Sequence, residues 1–154
     1  MEKQFVVFQV ADEQYGVPID RVESIVKMQP ITLVPQAPEF LEGITNLRGM
    51  VLPVLSLRKR FGLPPREAGR ETRIVVVVGE GHPIGIIVDS VLEVLRLSED
   101  AIEPPPPMVT NERTRFITGI AKVGERLVIL LDLVRVLSVE EEVQLADLRD
   151  TISA

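Results

Sequence analysis

Short runs of apolar residues, each closed by a turn signal, recur along most of the chain and predict strands. Residues 5–10 end at the polar turn 12–14, after which residues 15–19 form the returning strand of a predicted hairpin. Two later runs, residues 74–78 and 127–131, contain no polar residue. A strand with one solvated face should alternate apolar and polar positions. Both faces of these two strands are therefore expected to be covered.

Two segments of the first half recur in the second half, which indicates an internal duplication. Residues 15–26 align with residues 84–95, and residues 43–55 align with residues 119–131, in the same order. Two diverged copies of one unit therefore fill the chain. Each copy is too small to bury a large core alone. The pattern predicts a mainly β fold of two small barrels packed side by side, with a shared apolar layer and a groove along the seam.

A few short helices complete the predicted elements. Ser56 suits the N-cap of a single helical turn that Gly62 would end. Residues 38–42 suit another helical turn. Near the end of the chain, Ser138 would cap a helix over residues 139–149, with three glutamates in its first turn and an apolar stripe behind them.

Composition and charge limit the classes of partner. The net charge of −6 disfavours nucleic acid and anionic membranes, because phosphate binding needs a basic excess. The chain has no cysteine, which excludes disulfides and cysteine-based metal sites, and no cofactor or metal is expected. The sequence shows neither a leader nor an apolar run near the ~18 residues of a spanning helix. We expect a cytoplasmic protein without membrane insertion.

Candidate catalytic residues are few, and no catalytic constellation emerges. The one histidine, His82, follows Gly-Glu-Gly and precedes proline, as an exposed turn residue would. Asp20 and Asp89 hold equivalent positions in the two copies and could form a carboxylate pair, although a strand-end cap or turn explains them more simply. The sequence predicts no enzyme. A small-ligand-binding or enzymatic double β-barrel that uses Asp20, Asp89 or His82 is the alternative.

One copy of the repeated hairpin differs from the other in its turn. The first copy carries Asn46 and Arg48 there, whereas the second has the plain turn Gly124-Glu125. The stretch Gly-Ile-Thr-Asn-Leu-Arg-Gly at 43–49 and several further segments form an ordered set that closely resembles the CheW-type chemotaxis coupling proteins. The further segments are Val51-x-Pro53-Val54, Tyr15-Gly16, Ile19-x-x-Val22 and Gly85-Ile86-Ile87-Val88-Asp89 with Val91.

This resemblance implies a fold and a function. The fold would be two five-stranded, SH3-like barrels within a single domain spanning residues 1–154. The barrels would be interleaved, with lobe one at about 4–36 plus 110–137 and lobe two at about 40–104. Family members have no catalytic activity. They bind the cytoplasmic tip of methyl-accepting chemoreceptors and the regulatory domain of the histidine kinase CheA, in arrays at the inner face of the membrane.

The resemblance also implies two binding surfaces. The residues implied for receptor binding are Val22, Gly43, Asn46, Leu47, Arg48, Gly49 and Val94. For the kinase the choice falls on an apolar strip, although a core position explains each member more simply: Ile44, Val51, Ile74 and Val76. A basic cluster could be a solvated face or could dock an acidic partner; its members are Arg58, Lys59, Arg60, Arg66, Arg70 and Arg73.

The internal partner of Arg48 is an open question. Many members of the resembled family carry Glu just before the Ile of the Val-x-x-Ile segment, where this chain has Ser24. Glu23 lies one place earlier, and a one-residue shift on a strand turns the side chain to the other face. Either Glu23 reaches Arg48 through a local irregularity, or Arg48 is free to contact a partner. The same sequence features would also fit a coupling domain of a related kinase pathway, such as motility driven by surface appendages. The sequence does not separate the two pathways.

Overall fold

Strands form most of the molecule, as the short apolar runs predict. The structure is a computed structural model that describes residues 2–37, 39, 41–78, 82–109 and 116–133. Eleven strands lie in this part of the chain: β1 (Glu2–Val10), β2 (Glu13–Pro18), β3 (Val22–Lys27), β4 (Leu41–Leu47), β5 (Met50–Ser56), β6 (Arg73–Val78), β7 (Pro83–Val88), β8 (Ser90–Ser98), β9 (Ile102–Glu103), β10 (Ile117–Val123) and β11 (Arg126–Leu131). One short helix, α1 (Leu57–Arg60), and three 3₁₀ turns at Ile19–Arg21, Glu99–Ala101 and Pro107–Val109 join them.

The strands form two sheets with the same plan. The six-stranded sheet has the order β8-β1-β2-β11-β10-β9, and the five-stranded sheet has the order β3-β6-β7-β5-β4. In each sheet one parallel pair, β2 with β11 or β5 with β7, joins two antiparallel hairpins. The predicted mainly β fold is confirmed, and the repeated plan agrees with the duplication. The described strands form two open sheets, without a hydrogen-bonded closure of either barrel.

The strand pairing corrects the predicted lobe boundaries. Strand β3, which the sequence assigned to lobe one, pairs with β6 of the five-stranded sheet. Strands β8 and β9, assigned to lobe two, pair with β1 and β10 of the six-stranded sheet. The six-stranded sheet therefore draws on residues 2–18 and 90–131, and the five-stranded sheet on residues 22–88. Each copy leaves its first hairpin in one sheet and sends its remaining strands to the other.

Three apolar clusters explain why several strands lack a polar face. On β6, Val75 and Val77 point into a cluster shared by both sheets, while Ile74 and Val76 point into the interior of their own sheet. Strand β1 divides its side chains in the same way between the shared cluster and the interior of the six-stranded sheet. The expectation that both faces are covered is thus confirmed for β6 and for β11 from Val128 onward, whereas Leu127 at the start of β11 is 55% exposed.

The local predictions succeeded where a side chain fixes the backbone. Ser56 caps α1 by accepting a hydrogen bond from Lys59 N at 3.3 Å, and Gly62 follows with φ +72°. The helical turn predicted over 38–42 is wrong at its end, because Leu41 begins β4, while Pro38 and Phe40 lie outside the described residues. The helix predicted over 139–149 also lies outside them. Strand β8 was not anticipated.

Candidate functional site

The hairpin of β4 and β5 ends in a turn that holds Arg48 in an unusual backbone conformation. Leu47 and Met50 are the last paired residues, so Arg48 and Gly49 alone form the turn, with φ +54° and +84°. Positive φ at both central residues defines a type I′ turn, which suits right-handed strand twist and favours Asn or Gly. The left-handed region costs a non-glycine residue about 1 kcal/mol. Asn46 supports the turn, since its Oδ1 accepts a hydrogen bond from Gly49 N at 2.9 Å.

The equivalent hairpin in the other sheet avoids this strain. Val123 and Arg126 flank its turn, and Gly124, with φ +64°, occupies the position that Arg48 holds in the first copy. Glycine adopts this conformation without a steric penalty. Arg48 is therefore strained at a position where glycine would not be. Such strain suggests that the Arg48 side chain has a function.

The Arg48 side chain is available to a partner. It is exposed and makes no hydrogen bond or ion pair with any described residue. Strand β3 does contain an irregularity between Val22 and Ser24, yet Glu23 stays exposed and does not reach Arg48. Ser24 is half-buried, and its Oγ has no hydrogen-bond partner among the residues that the structure describes. Of the two readings of Arg48, the structure therefore favours the free side chain.

The face of the hairpin that carries Asn46 is apolar apart from that residue. At its base, Leu41 and Leu55 are paired and buried in the shared cluster. Toward the tip, Ile44 is half-buried, and Val51, which lies opposite Asn46, is 50% exposed. The hairpin thus begins inside the shared core and protrudes beyond it. This protruding end, with Ile44, Asn46, Arg48 and Val51, is named the hairpin tip below.

Gly43 has a backbone role at the base of this hairpin. Thr32 and Ile44 form a two-way bridge, with N–O distances of 2.8 and 2.9 Å, which brings the Thr32 carbonyl against Gly43. A Cβ on Gly43 would collide with that carbonyl oxygen and lie 2.6 Å from Ile31 Cγ2. Gly119 occupies the equivalent place, where a Cβ would lie 2.9 Å from Ile102 Cγ2. The close approach of a neighbouring segment therefore requires both glycines.

The other implied binding residues divide by exposure. Leu47 is buried in the interior of the five-stranded sheet, so it holds the hairpin in place. Val22 is half-buried against the shared cluster, and Val94 is 51% exposed on β8. The choice of Ile74 and Val76 for the kinase strip is wrong, because both side chains are fully buried and cannot reach a partner. Alternation on β6 directs them into the core.

Asp89 is a structural carboxylate that joins the two sheets. Arg58 Nε and Nη2 donate to its two oxygens at 2.9 and 2.8 Å, and Ala11 N in the β1–β2 turn donates to Oδ2 at 2.8 Å. Arg66 approaches at 3.7 Å. These donors lower the pKa of Asp89, the hydrogen bond from Arg58 most of all, against an opposing effect of burial. The sequence did not predict the pairing of Arg58 with Asp89, because the two residues lie 31 positions apart in the chain.

The three residues of the enzymatic alternative do not form one site. Asp20, exposed in the first 3₁₀ turn, lines a cleft of about 580 Å³, whereas Asp89 lines a separate cleft of about 430 Å³. His82 is exposed and lines neither. Within the described residues no group of acidic, histidine or cysteine side chains could hold a metal ion.

The basic cluster is largely engaged within the protein. Arg58 binds Asp89, and Lys59 Nζ lies 2.9 Å from Glu42 Oε1. Arg73 Nη1 donates to the carbonyl oxygens of Arg70 and Thr72.

No helix in the described part of the chain is long and apolar enough to cross a membrane.

Comparison with known proteins gives one consistent result. The family model of the CheW-like domain matches residues 4–141. The chain is 36% identical over 151 residues to the chemotaxis protein CheW of Treponema pallidum, covering 94% of this chain and 88% of that protein. With the CheW protein of Klebsiella aerogenes it shares 34% identity over 139 residues, covering 90% and 84%. The crystal structure of the scaffolding protein TtCheW from Thermoanaerobacter tengcongensis superposes with a TM-score of 0.83 at 45% identity, covering 92% and 96%.

Proposed function

Since this chain belongs to the CheW-like family, we propose that it is a non-catalytic adaptor that couples chemoreceptors to the histidine kinase CheA. The single observation that carries the proposal is the hairpin tip, where Arg48 is strained, exposed and without a partner among the described residues. The names of the relatives add support, because they describe chemotaxis proteins, and the solved neighbour is described as a scaffolding protein.

Receptor binding is proposed for the surface around Arg48. The planar guanidinium can bind carbonyl or carboxylate oxygens of a helical receptor tip, while its stem covers apolar surface. Asn46, Val22 and Val94 would contribute further contacts. Gly43, Leu47 and Gly49 would act by shaping the hairpin, since the first two are buried and the third builds the turn.

Kinase binding is proposed for the apolar part of the hairpin tip. Ile44 and Val51 present partly exposed apolar side chains there, which is typical of a protein interaction surface. Because Val51 lies opposite Asn46 in the β4–β5 register, the two proposed surfaces adjoin. In such an adaptor the chain would act in the cytoplasm, recruited to receptor arrays.

The Arg48→Gly variant tests the receptor surface while keeping the fold. Glycine accepts φ +54° and removes the side chain, so the free energy of unfolding should rise by up to about 1 kcal/mol. Co-sedimentation with receptor-bearing membranes should nevertheless fall by at least tenfold in affinity, as expected for loss of a central charged contact. Arg48→Lys keeps the charge without the fork and should give an intermediate loss.

Two outcomes would contradict the proposal. Binding of the Arg48→Gly protein equal to that of the unchanged protein would remove Arg48 from the receptor site. If the unchanged protein binds neither receptor-bearing membranes nor CheA at micromolar concentration, the adaptor function itself fails. A pull-down from cell extract then identifies the pathway, through the receptors and kinases that are recovered.

A further inference from the structure

The edge strand β3 presents a self-complementary row of side chains. Its exposed residues are Glu23, Ile25 and Lys27, which alternate with half-buried neighbours. Ile25 is 40% exposed although it is apolar. The strand is the last one of the five-stranded sheet, and among the described strands it pairs with β6 alone. An open strand edge of this kind is a site for pairing with another chain.

In a two-fold antiparallel register centred on Ile25, every exposed side chain of β3 would lie opposite a complementary side chain of the second copy. In an antiparallel pair of two copies, Ile25 lies opposite Ile25 of the second copy, and Glu23 lies opposite Lys27 of the second copy. The symmetry repeats the ion pair on the other side. Opposite charges and apolar side chains placed directly across an antiparallel pair stabilise it. Lysine on an edge ordinarily opposes pairing, but in this register each lysine meets a glutamate.

From this geometry we propose that two copies of the chain associate through their β3 edges to form one continuous ten-stranded sheet. The irregularity between Val22 and Ser24 falls at Glu23, whose side chain is nevertheless exposed like those of Ile25 and Lys27, and the pairing with β6 is regular from Ser24 to Lys27. Gln29 Nε2 donates to the Lys27 carbonyl at 3.1 Å from an exposed position, so the partner strand would displace only a surface side chain.

The other sheet edges do not offer the same fit. On β8, Glu93 and Arg96 differ by an odd number of positions and point to opposite faces, so a two-fold register cannot bring them together. Glu93 is also bound to Arg126 at 2.9 Å. Strand β4 is bridged by Thr32, and β9 has two residues.

The interface is small, which sets the expected strength. A pair of five-residue edges buries less than the ~1,000 Å² expected for a stable interface. The dimer should therefore be weak, dependent on protein concentration and weakened by salt, since its ion pairs are exposed.

Charge reversal gives the decisive test, measured by sedimentation equilibrium across a concentration series. Lys27→Glu and Glu23→Lys each place like charges opposite each other twice, and each should raise the dimer dissociation constant by about tenfold or more. A mixture of these two variants should form a heterodimer at least as readily as the unchanged protein dimerises, because all the facing charges are again opposite. Arg96→Glu makes the same change of charge as Lys27→Glu on the edge of β8 and should leave the dimer unaffected.

A single introduced cysteine tests the register, since the chain has none of its own. Opposite residues of an antiparallel pair have Cα atoms about 4.5 to 5.5 Å apart, within disulfide range. Ile25→Cys should therefore form a covalent dimer under mild oxidation, and Val94→Cys, on β8, should stay monomeric. Four outcomes would each overturn the proposal. The unchanged protein could stay monomeric at its highest soluble concentration, or the single charge variants could dimerise as well as it does. The mixture of the two variants could form no heterodimer, or the two cysteine variants could cross-link equally.

Discussion

At the scale of single residues, some members of the hairpin motif are explained by backbone geometry, whereas others are proposed to bind a partner. Gly43 and Gly49 belong to one sequence motif, yet different physical needs explain them. Gly43 allows the Thr32 carbonyl to approach, whereas Gly49 occupies open space and supplies only a positive φ. Gly119 holds the place of Gly43 in the second copy, and a neighbouring segment approaches both glycines closely. The strain on Arg48 could not be anticipated from the sequence, because a pattern of residue types does not give the φ of a turn.

This difference predicts unequal effects of two alanine substitutions. Gly43→Ala places a Cβ against backbone atoms that cannot move aside, so the free energy of unfolding should fall by about 3 kcal/mol, as in severe overpacking. Gly49→Ala meets no atom within 4 Å and should cost about 1 kcal/mol through its φ of +84°. Urea denaturation of both variants measures the gap. Equal losses would show that the contact with Thr32 does not limit this position.

At the scale of elements, the sequence predicted most of the strands and α1 but not their pairing. The two-sided apolar runs indicated that each sheet is covered, because alternation is a local signal. Strand β8 was not predicted, because its apolar and polar residues do not alternate regularly. In the structure, the consecutive residues Leu92, Glu93 and Val94 are all exposed. The placement of Ile74 and Val76 in a binding strip failed for a related reason. An apolar run does not show which face meets the core when both faces are buried.

The duplication supplies a matched control for the proposed kinase surface. Val51 and Leu127 hold equivalent positions in the two hairpins and are 50% and 55% exposed. Aspartate at either position should change the free energy of unfolding little, because both side chains already face solvent. Val51→Asp should weaken the pull-down of CheA by about tenfold, as expected for a charge introduced into an apolar contact, while Leu127→Asp should leave it unchanged. Equal behaviour of the two variants would remove the hairpin tip from the kinase surface.

At the scale of the whole molecule, the exchange of strands makes each sheet depend on both halves of the chain. Asp89 stands at the crossing, between β7 of one sheet and β8 of the other. It binds Arg58 beside the five-stranded sheet and Ala11 of the six-stranded sheet, and its own N donates to Gln9 O at 3.0 Å. The sequence showed Asp89 as a repeat of Asp20, but the repeat gave no sign of the long-range partner.

This arrangement predicts an acid-sensitive contribution to stability. The donors around Asp89 hold its folded pKa below the ordinary value of 3.8. A carboxylate with a lowered folded pKa stabilises the protein above its unfolded pKa and loses that contribution as the pH falls through the folded value. At pH 7, Asp89→Asn should lower the free energy of unfolding by about 2 kcal/mol, the usual size for hydrogen bonds to a charged group.

The pH dependence distinguishes this charge from simple packing. As the pH falls below about 4, the unfolded chain takes up a proton at Asp89 before the folded protein does, so the gap between the unchanged protein and the Asp89→Asn variant should narrow until the pH passes the lowered folded pKa. Urea denaturation at pH 7 and pH 3 measures both gaps. Asp20→Asn, at the equivalent but exposed position, should leave both curves nearly unchanged. A gap for Asp89→Asn that stays constant across this range would show that shape, and not the ion pair with Arg58, makes Asp89 important where the two sheets meet.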